Sequence, residues 1–272
     1  TTPVVTWNAE YVQGFIKMVL KLVTFEDFLI FPGQNLAPDE KDKIYEFSAN
    51  IQKTQTINQV IITNNTSLRA KTSAVKRMYI AMVFIRDLND PVLKSHESFL
   101  LGRRSMLNLV IAIDPIENYT IVEQTLRYLE VENYILGMMM VTTLSGRNEL
   151  WGYIEFPEFA IENRTDITKM FNRLYKVYAE GILDTEGYAF HSPLRQDLPQ
   201  VFRYTNSRNE VHRQGISYKV LSLFMEHINA TMVDYTMPAD KLGGNVIDMK
   251  TALDLVRNRR IPILFHSYAL FA

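Results

Sequence analysis

The chain has 272 residues, a formal net charge of −1, 47% hydrophobic and 22% charged residues, and no cysteine. That length allows one or two domains with sizeable cores. The near-neutral charge gives no electrostatic footprint for nucleic acid, and the missing cysteines exclude disulfides, thiolate metal sites and cysteine nucleophiles. Arg103-Arg104 and Arg257-Asn258-Arg259-Arg260 read as solvated helix ends. No apolar run approaches the roughly eighteen residues of a membrane helix. Residue 1 is not Met, and no charged-then-apolar leader precedes the fold. The numbering is therefore expected to start after a removed signal peptide or inside a longer protein.

In chain order, Tyr11, Phe15, Val19 and Leu22 fall on one face of an opening helix. Phe28–Phe31 reads as a strand ended by Pro32-Gly33. Asp39–Gln52 reads as a charged helix capped at Pro38-Asp39. Gln59–Thr63 and Met78–Ile85 read as strands, the second closed by the turn Asp87-Leu88-Asn89-Asp90-Pro91. Leu107–Ile113 is a further strand, closed by Asp114-Pro115. Thr120–Leu129 has helical spacing, with Ile121, Val122, Thr125, Leu126 and Leu129 toward a core. Met138–Thr143, the turn Ser145–Asn148 and Leu150–Phe156 read as a β-hairpin. A helix over Thr168–Tyr178 closes this α/β domain, 1–180, with its boundary near Ala179-Glu180-Gly181.

Residues 181–272 read as one β-α-β-α-β unit that stops unfinished. Gln200–Tyr204 is expected as its first strand, followed by the polar hairpin Thr205–Glu210. From Gly215 to Asn229 the apolar residues Ile216, Val220, Leu221, Phe224, Met225 and Ile228 have helical spacing with one apolar face. Ala230–Thr236 reads as a strand and Pro238–Asn245 as a turn-rich loop. A second helix carries Ile247, Met249, Leu253 and Val256, and Ile261–Phe265 is a third strand. Strands alternating with helices imply a parallel sheet, and in such sheets ligands bind beyond the carboxyl ends of the strands. The fold class is thus α/β, with an amino-terminal α/β domain followed by an incomplete lobe of ligand-binding type.

The chain has no nucleophile elbow, phosphate loop or zinc helix. The five histidines, His96, His191, His212, His227 and His266, lack metal-ligand spacing and read as surface or packing residues. No metal, no cofactor and no catalytic residue is expected, and the chain does not read as an enzyme. Asn-x-Ser/Thr occurs at Asn64, Asn65, Asn118, Asn163 and Asn229, more often than chance suggests. All five are expected glycosylation sites and point to an exposed surface in the secretory pathway. Asn163 and the Asn64/Asn65 loop fall where turns are expected.

From Met170 to Thr231 the chain resembles the insect divergent ionotropic receptors, chemosensory relatives of the ionotropic glutamate receptors. The residues that carry this are Phe171-Asn172-Arg173-Leu174 with Glu180-Gly181, then Leu198-Pro199-Gln200-Val201-Phe202-Arg203-Tyr204. Gly215, Ser217-Tyr218-Lys219-Val220-Leu221 and Phe224 follow, running to Asn229-Ala230-Thr231. The tail from Arg257 to Ala269, with Ile261, Phe265, His266, Ser267 and Tyr268, looks like the family's third strand and the loop after it. The first 180 residues match only as an amino-terminal domain of suitable length.

The resemblance implies a periplasmic-binding-protein-like clamshell that closes on a small ligand and pulls on an ion pore. It also implies pore helices and the rest of the clamshell beyond Ala272, hetero-oligomers with related subunits, and the extracellular side of the plasma membrane. The Arg that holds a ligand carboxylate in amino-acid-binding relatives would fall just past Ala272. Ser267 and Tyr268 would border the cleft by register, and Arg203, at the end of the first strand, is the third candidate ligand contact. A soluble small-molecule-binding protein of the same lobe type, or an α/β enzyme without a recognisable motif, are the competing expectations. A half clamshell is also expected to leave an unpaired sheet edge and an exposed apolar face.

Overall fold

The computed structural model describes residues 7–22, 25, 27–54, 58–62, 79–99, 107–132, 134, 136–154, 158–166, 184–192, 198–234 and 254. The helix expected over 168–178, the loop, helix and strand expected after residue 236, and Asn64, Asn65, Ser267 and Tyr268 lie outside the described residues. The chain separates into two compact units, Thr1–Gly181 and Ile182–Ala272. Among the described residues, no helix is long and apolar enough to cross a membrane.

The amino-terminal unit runs α1 (Ala9–Leu22), β1 (Asp27–Pro32), α2 (Pro38–Thr54), β2 (Asn58–Ile61), β3 (Tyr79–Ile85), α3 (Val92–Phe99), β4 (Leu107–Ala112), α4 (Thr120–Val131), β5 (Leu136–Thr142), β6 (Asn148–Ile154) and β7 (Ala160–Asn163). The strands form one seven-stranded sheet in the order β2-β1-β3-β4-β5-β6-β7. Its first five strands are parallel, and β6 and β7 extend it antiparallel. Every residue of β1, β3, β4 and β5 is buried. Near-continuous apolar runs are what a parallel sheet covered on both faces demands.

Side chains alternate between two cores, as the period of a strand requires. Phe28, Ile30, Ile80, Met82, Phe84, Leu109 and Ile111 face α1 and α2, meeting Val12, Phe15, Ile16, Val19, Ile44, Phe47 and Ile51. Leu29, Phe31, Ala81, Val83, Ile85, Val110 and Met139 face α3 and α4, meeting Val92, Leu93, Val122, Leu126 and Leu129. Each such large side chain contributes about 1.5–3 kcal/mol on burial. Trp7 stands edge-on to both Phe47 and Phe84, with ring centroids 5.2 and 5.0 Å away.

Asn108 is the polar exception inside β4. Its Oδ1 lies 3.0 Å from His96 Nε2, and Tyr134 Oη lies 3.3 Å from His96 Nδ1. All three side chains are fully buried. His96 is therefore a core residue, one that satisfies a polar side chain where the strand pattern wants an apolar one. Its helix α3 was not expected from the sequence. The segment after Val92-Leu93 is mostly polar and shows no apolar stripe, but Asp90 accepts the Val92 N–H at 3.0 Å and starts the helix. β7 was also missed, and Asn163, expected in a turn, is its last residue. Four residues at a sheet edge carry too little alternation to stand out.

The carboxyl-terminal unit contains β8 (Ala189–Ser192), β9 (Phe202–Thr205), β10 (Val211–Gln214), α5 (Ile216–His227) and β11 (Thr231–Asp234). β8 and β11 pair in parallel, and β9 and β10 form a separate antiparallel ladder. The expected first parallel strand, Gln200–Tyr204, instead gives its residues to the hairpin, and β8 upstream takes that role. Local hydrogen bonds explain the difference. Asn206 Oδ1 accepts the N–H groups of Arg208 at 2.8 Å and Glu210 at 3.0 Å, closing the hairpin turn. The segment before β8 docks beside the start of β11. Thr185 Oγ1 lies 3.0 and 2.9 Å from the carbonyls of Ile228 and Asn229, and Gly187 N–H donates to Asn229 O at 2.7 Å.

α5 begins at Gly215, whose φ of 125° is open to glycine and strained for other residues. A Cβ there would collide with the Gln200 carbonyl. Met225 and Ile228 are buried, whereas Ile216, Val220, Leu223 and Phe224 are exposed. The single apolar face read from the sequence is thus divided between core and solvent.

Candidate functional site

In the amino-terminal unit the strand order reverses between β1 and β3, the position where open α/β sheets bind ligands beyond their carboxyl ends. Here that position holds a carboxylate of the chain itself. Asp90 is buried, and its Oδ1 accepts the Gln34 N–H at 2.9 Å while its Oδ2 accepts the Asn35 N–H at 3.2 Å. Gly33 makes room for it, since a Cβ there would stand 2.6 Å from Asp90 Oδ2 and from the Phe84 carbonyl. Loop N–H groups that would cradle an external anion are therefore spent on an internal one.

Two ion clusters line the same end of the sheet. Arg86, at the end of β3, donates from Nε to Asp114 Oδ2 at 2.8 Å and from Nη2 to Glu40 Oε1 at 2.5 Å. The hydrogen bond to Asp114 is the leading reason its guanidinium pKa is raised. Glu40 also accepts the Ala37 N–H at 2.8 Å, which caps α2. Further along, the buried Glu149 carboxylate accepts Trp151 Nε1–H at 3.0 Å and Tyr119 Oη–H at 3.3 Å, and it pairs with Arg147. Burial first, and the Glu149 charge second, raise the pKa of the Tyr11 phenol. These acids hold elements together and pair with cations or N–H donors. Among the described residues, no group of three or more metal-ligating side chains comes together.

The carboxyl-terminal unit carries the more ligand-like arrangement. A surface groove of about 490 Å³ is lined by Arg203, Val211, His212, Arg213 and Tyr218. Arg203 and Arg213 are direct cross-strand partners, so both guanidinium side chains leave the ladder on one face. Tyr218 stands in the first turn of α5, and His212 stacks on Tyr204 with ring centroids 5.4 Å apart. Two like charges at one register position favour an anionic or carboxylate-bearing neighbour. Of the ligand candidates read from the sequence, Arg203 lies in this groove.

Sequence reasoning missed Arg213, Tyr218, Asp90, Glu149 and the Arg86 bridge. A hairpin register read from Asn206 would have set Arg213 opposite Arg203. An acid just after a strand end, Asp90 before Pro91, was read only as a turn. Of the sequon asparagines, Asn118, Asn163 and Asn229 are described, and all three are exposed. Comparison of the chain with protein-family models, with curated proteins and with solved structures gave no match.

Proposed function

We propose that this chain is extracellular polypeptide of a chemosensory ionotropic receptor, a ligand-gated cation channel that detects small chemical cues. The observation that carries this reading is the parallel pairing of β8 and β11 across α5, formed by residues that include the receptor-like stretch Gly215–Thr231. Such a unit is the building block of lobes that bind ligands beyond their strand ends. In this reading residues 181–272 begin a clamshell, and the amino-terminal unit is a binding or assembly domain. Arg203 is a ligand contact, with Ser267 and Tyr268 at the cleft. The ligand is small, the partners are related receptor subunits, and attachment is to the plasma membrane through further segments.

Sequencing the same transcript beyond the codon for Ala272 tests this directly. Membrane-length apolar segments downstream, together with ligand-evoked cation currents from the full-length product, are the expected result. A stop codon close after Ala272 would end the channel reading and favour a soluble small-molecule-binding protein of the same lobe type.

A further inference from the structure

We infer that Asn118 and Asn163 are N-glycosylation acceptors in the folded chain, that Asn229 is a poor one, and that the Asn163 glycan shields the β7 edge, the outer edge of the seven-stranded sheet among the described residues. This rests on the extracellular reading and adds to it which sequons are used and what one of them does. The reaction joins Asn Nδ2 to the anomeric carbon of a polyprenyl-diphosphate-linked oligosaccharide. The bond from that carbon to the diphosphate oxygen breaks, the lipid diphosphate leaves, and one amide proton is lost to base.

Asn163 and Asn118 share a geometry suited to this. Asn163 Oδ1 accepts the N–H of Thr165 at 2.9 Å, and Asn118 Oδ1 accepts the N–H of Thr120 at 3.0 Å. Each sequon is thereby folded into a local turn that draws the amide toward its threonine. Both asparagines are exposed, and neither Nδ2 has a hydrogen-bond acceptor among the described residues. Both turns are local, closed within three residues.

Asn229 is exposed as well, but its amide and its backbone differ. Its Nδ2 already donates to Asp184 Oδ1 at 2.9 Å, and its backbone is left-handed, with φ 51°. Its threonine begins β11, with Thr231 Oγ1 lying 3.4 Å from the Gly187 carbonyl. Asp184 and Gly187 precede Asn229 in the chain, so these partners are already synthesised when Asn229 emerges.

Asn163 is also the last residue of β7, the strand that ends the seven-stranded sheet. Its main chain is anchored inward by Arg164 N–H donating to the Leu150 carbonyl at 2.7 Å and by Leu150 N–H donating to Thr165 Oγ1 at 3.1 Å. A bulky polar glycan at this point blocks a second strand from adding to the edge.

The test is translation of residues 1–272 behind a heterologous secretory leader in the presence of microsomes. Scoring is confined to protease-protected chains, all of which have met the transferase. Enzymatic deglycosylation converts each occupied Asn to Asp, and peptide mass spectrometry reads every site. High occupancy at Asn118 and Asn163 is expected, with Asn229 several-fold lower and rising in Asp184→Ala. Glycosylated N163Q chains, which keep the Asn118 glycan, should self-associate more than glycosylated wild type. Bare Asn118 or Asn163 in protected chains, Asn229 occupied as fully as they are, or equal association with and without the Asn163 glycan would overturn the inference. The leader is supplied, so the outcome does not depend on whether the native transcript encodes a receptor.

Discussion

Helices α1 and α5 have the same kind of apolar stripe and meet different fates. In α1, Val12, Phe15, Ile16 and Val19 are between 0% and 4% exposed, whereas in α5 Ile216, Val220 and Leu223 are 61%, 64% and 67% exposed. The stripe makes a helix amphipathic, but burial depends on what stands opposite. α1 covers a broad parallel sheet with strands to spare. The described part of the carboxyl-terminal unit offers α5 a parallel pair and a hairpin, and two-stranded ladders give a helix little to cover. Among the described residues, apolar burial therefore concentrates where strands accumulate, and apolar surface is exposed where they do not.

Hollowing the amino-terminal core should have the largest effect. Phe84 is fully buried and touches Trp7 and Phe47 edge-on. Phe84→Ala should destabilise that unit by about 3–5 kcal/mol through lost burial and a cavity. Denaturant unfolding followed by tryptophan fluorescence reads it. A loss below about 1 kcal/mol would mean that the two-core description is wrong.

Next comes the internal anion at the strand switch. Asp90→Ala leaves three backbone N–H groups without their acceptor and should cost about 3 kcal/mol, since hydrogen bonds to charged groups are worth about 1.5–3 kcal/mol each and do not add fully. Asp90→Asn keeps one acceptor oxygen and should recover part of the loss. If phosphate or another small anion restored the stability of Asp90→Ala, the loop would be an anion cradle that Asp90 imitates.

A third change sharpens the contrast from the other side. Val220→Thr with Leu223→Lys places polar groups on the exposed stripe of α5 and should change stability by no more than about 0.5 kcal/mol. Light scattering should fall if this exposed apolar face contributes to self-association. A loss above about 1 kcal/mol would mean that this face is covered in the folded protein.

The legibility of the sequence followed the same division. β1, β3, β4 and β5 announced themselves because strands buried on both faces are apolar at every position. α2 and α4 were legible from spacing and caps. The carboxyl-terminal strands are short and half-exposed, so nothing in Ala189–Ser192 distinguished it from a loop, and the parallel pair was assigned one strand too late. Site residues were harder still. Arg203 was named, but Arg213 joins it through register, and register follows from the Asn206 turn. Asp90 and Glu149 matter through tertiary contacts 56 and 30 residues away, to Gln34 and Tyr119, which no local pattern encodes.

The smallest expected effect tests how the α1 face meets the end of the sheet. Tyr11 lies half-buried on α1, and burial and then the Glu149 charge both disfavour its phenolate. Its folded pKa is raised above its unfolded value, so the folded state holds the proton more tightly. The contribution is therefore complete below the ordinary phenol value of about 10 and is lost as pH rises through and beyond it. Tyr11→Phe keeps the ring and removes the titration. Its stability relative to wild type should be flat from about pH 7 to 9 and rise above about pH 10. Other tyrosines titrate equally in both proteins and cancel in the difference. Glu149→Gln removes the second cause and should shrink that rise without abolishing it, because burial remains. A rise that vanished entirely in Glu149→Gln would make charge the leading cause and set Tyr11 in water rather than against the α1 core.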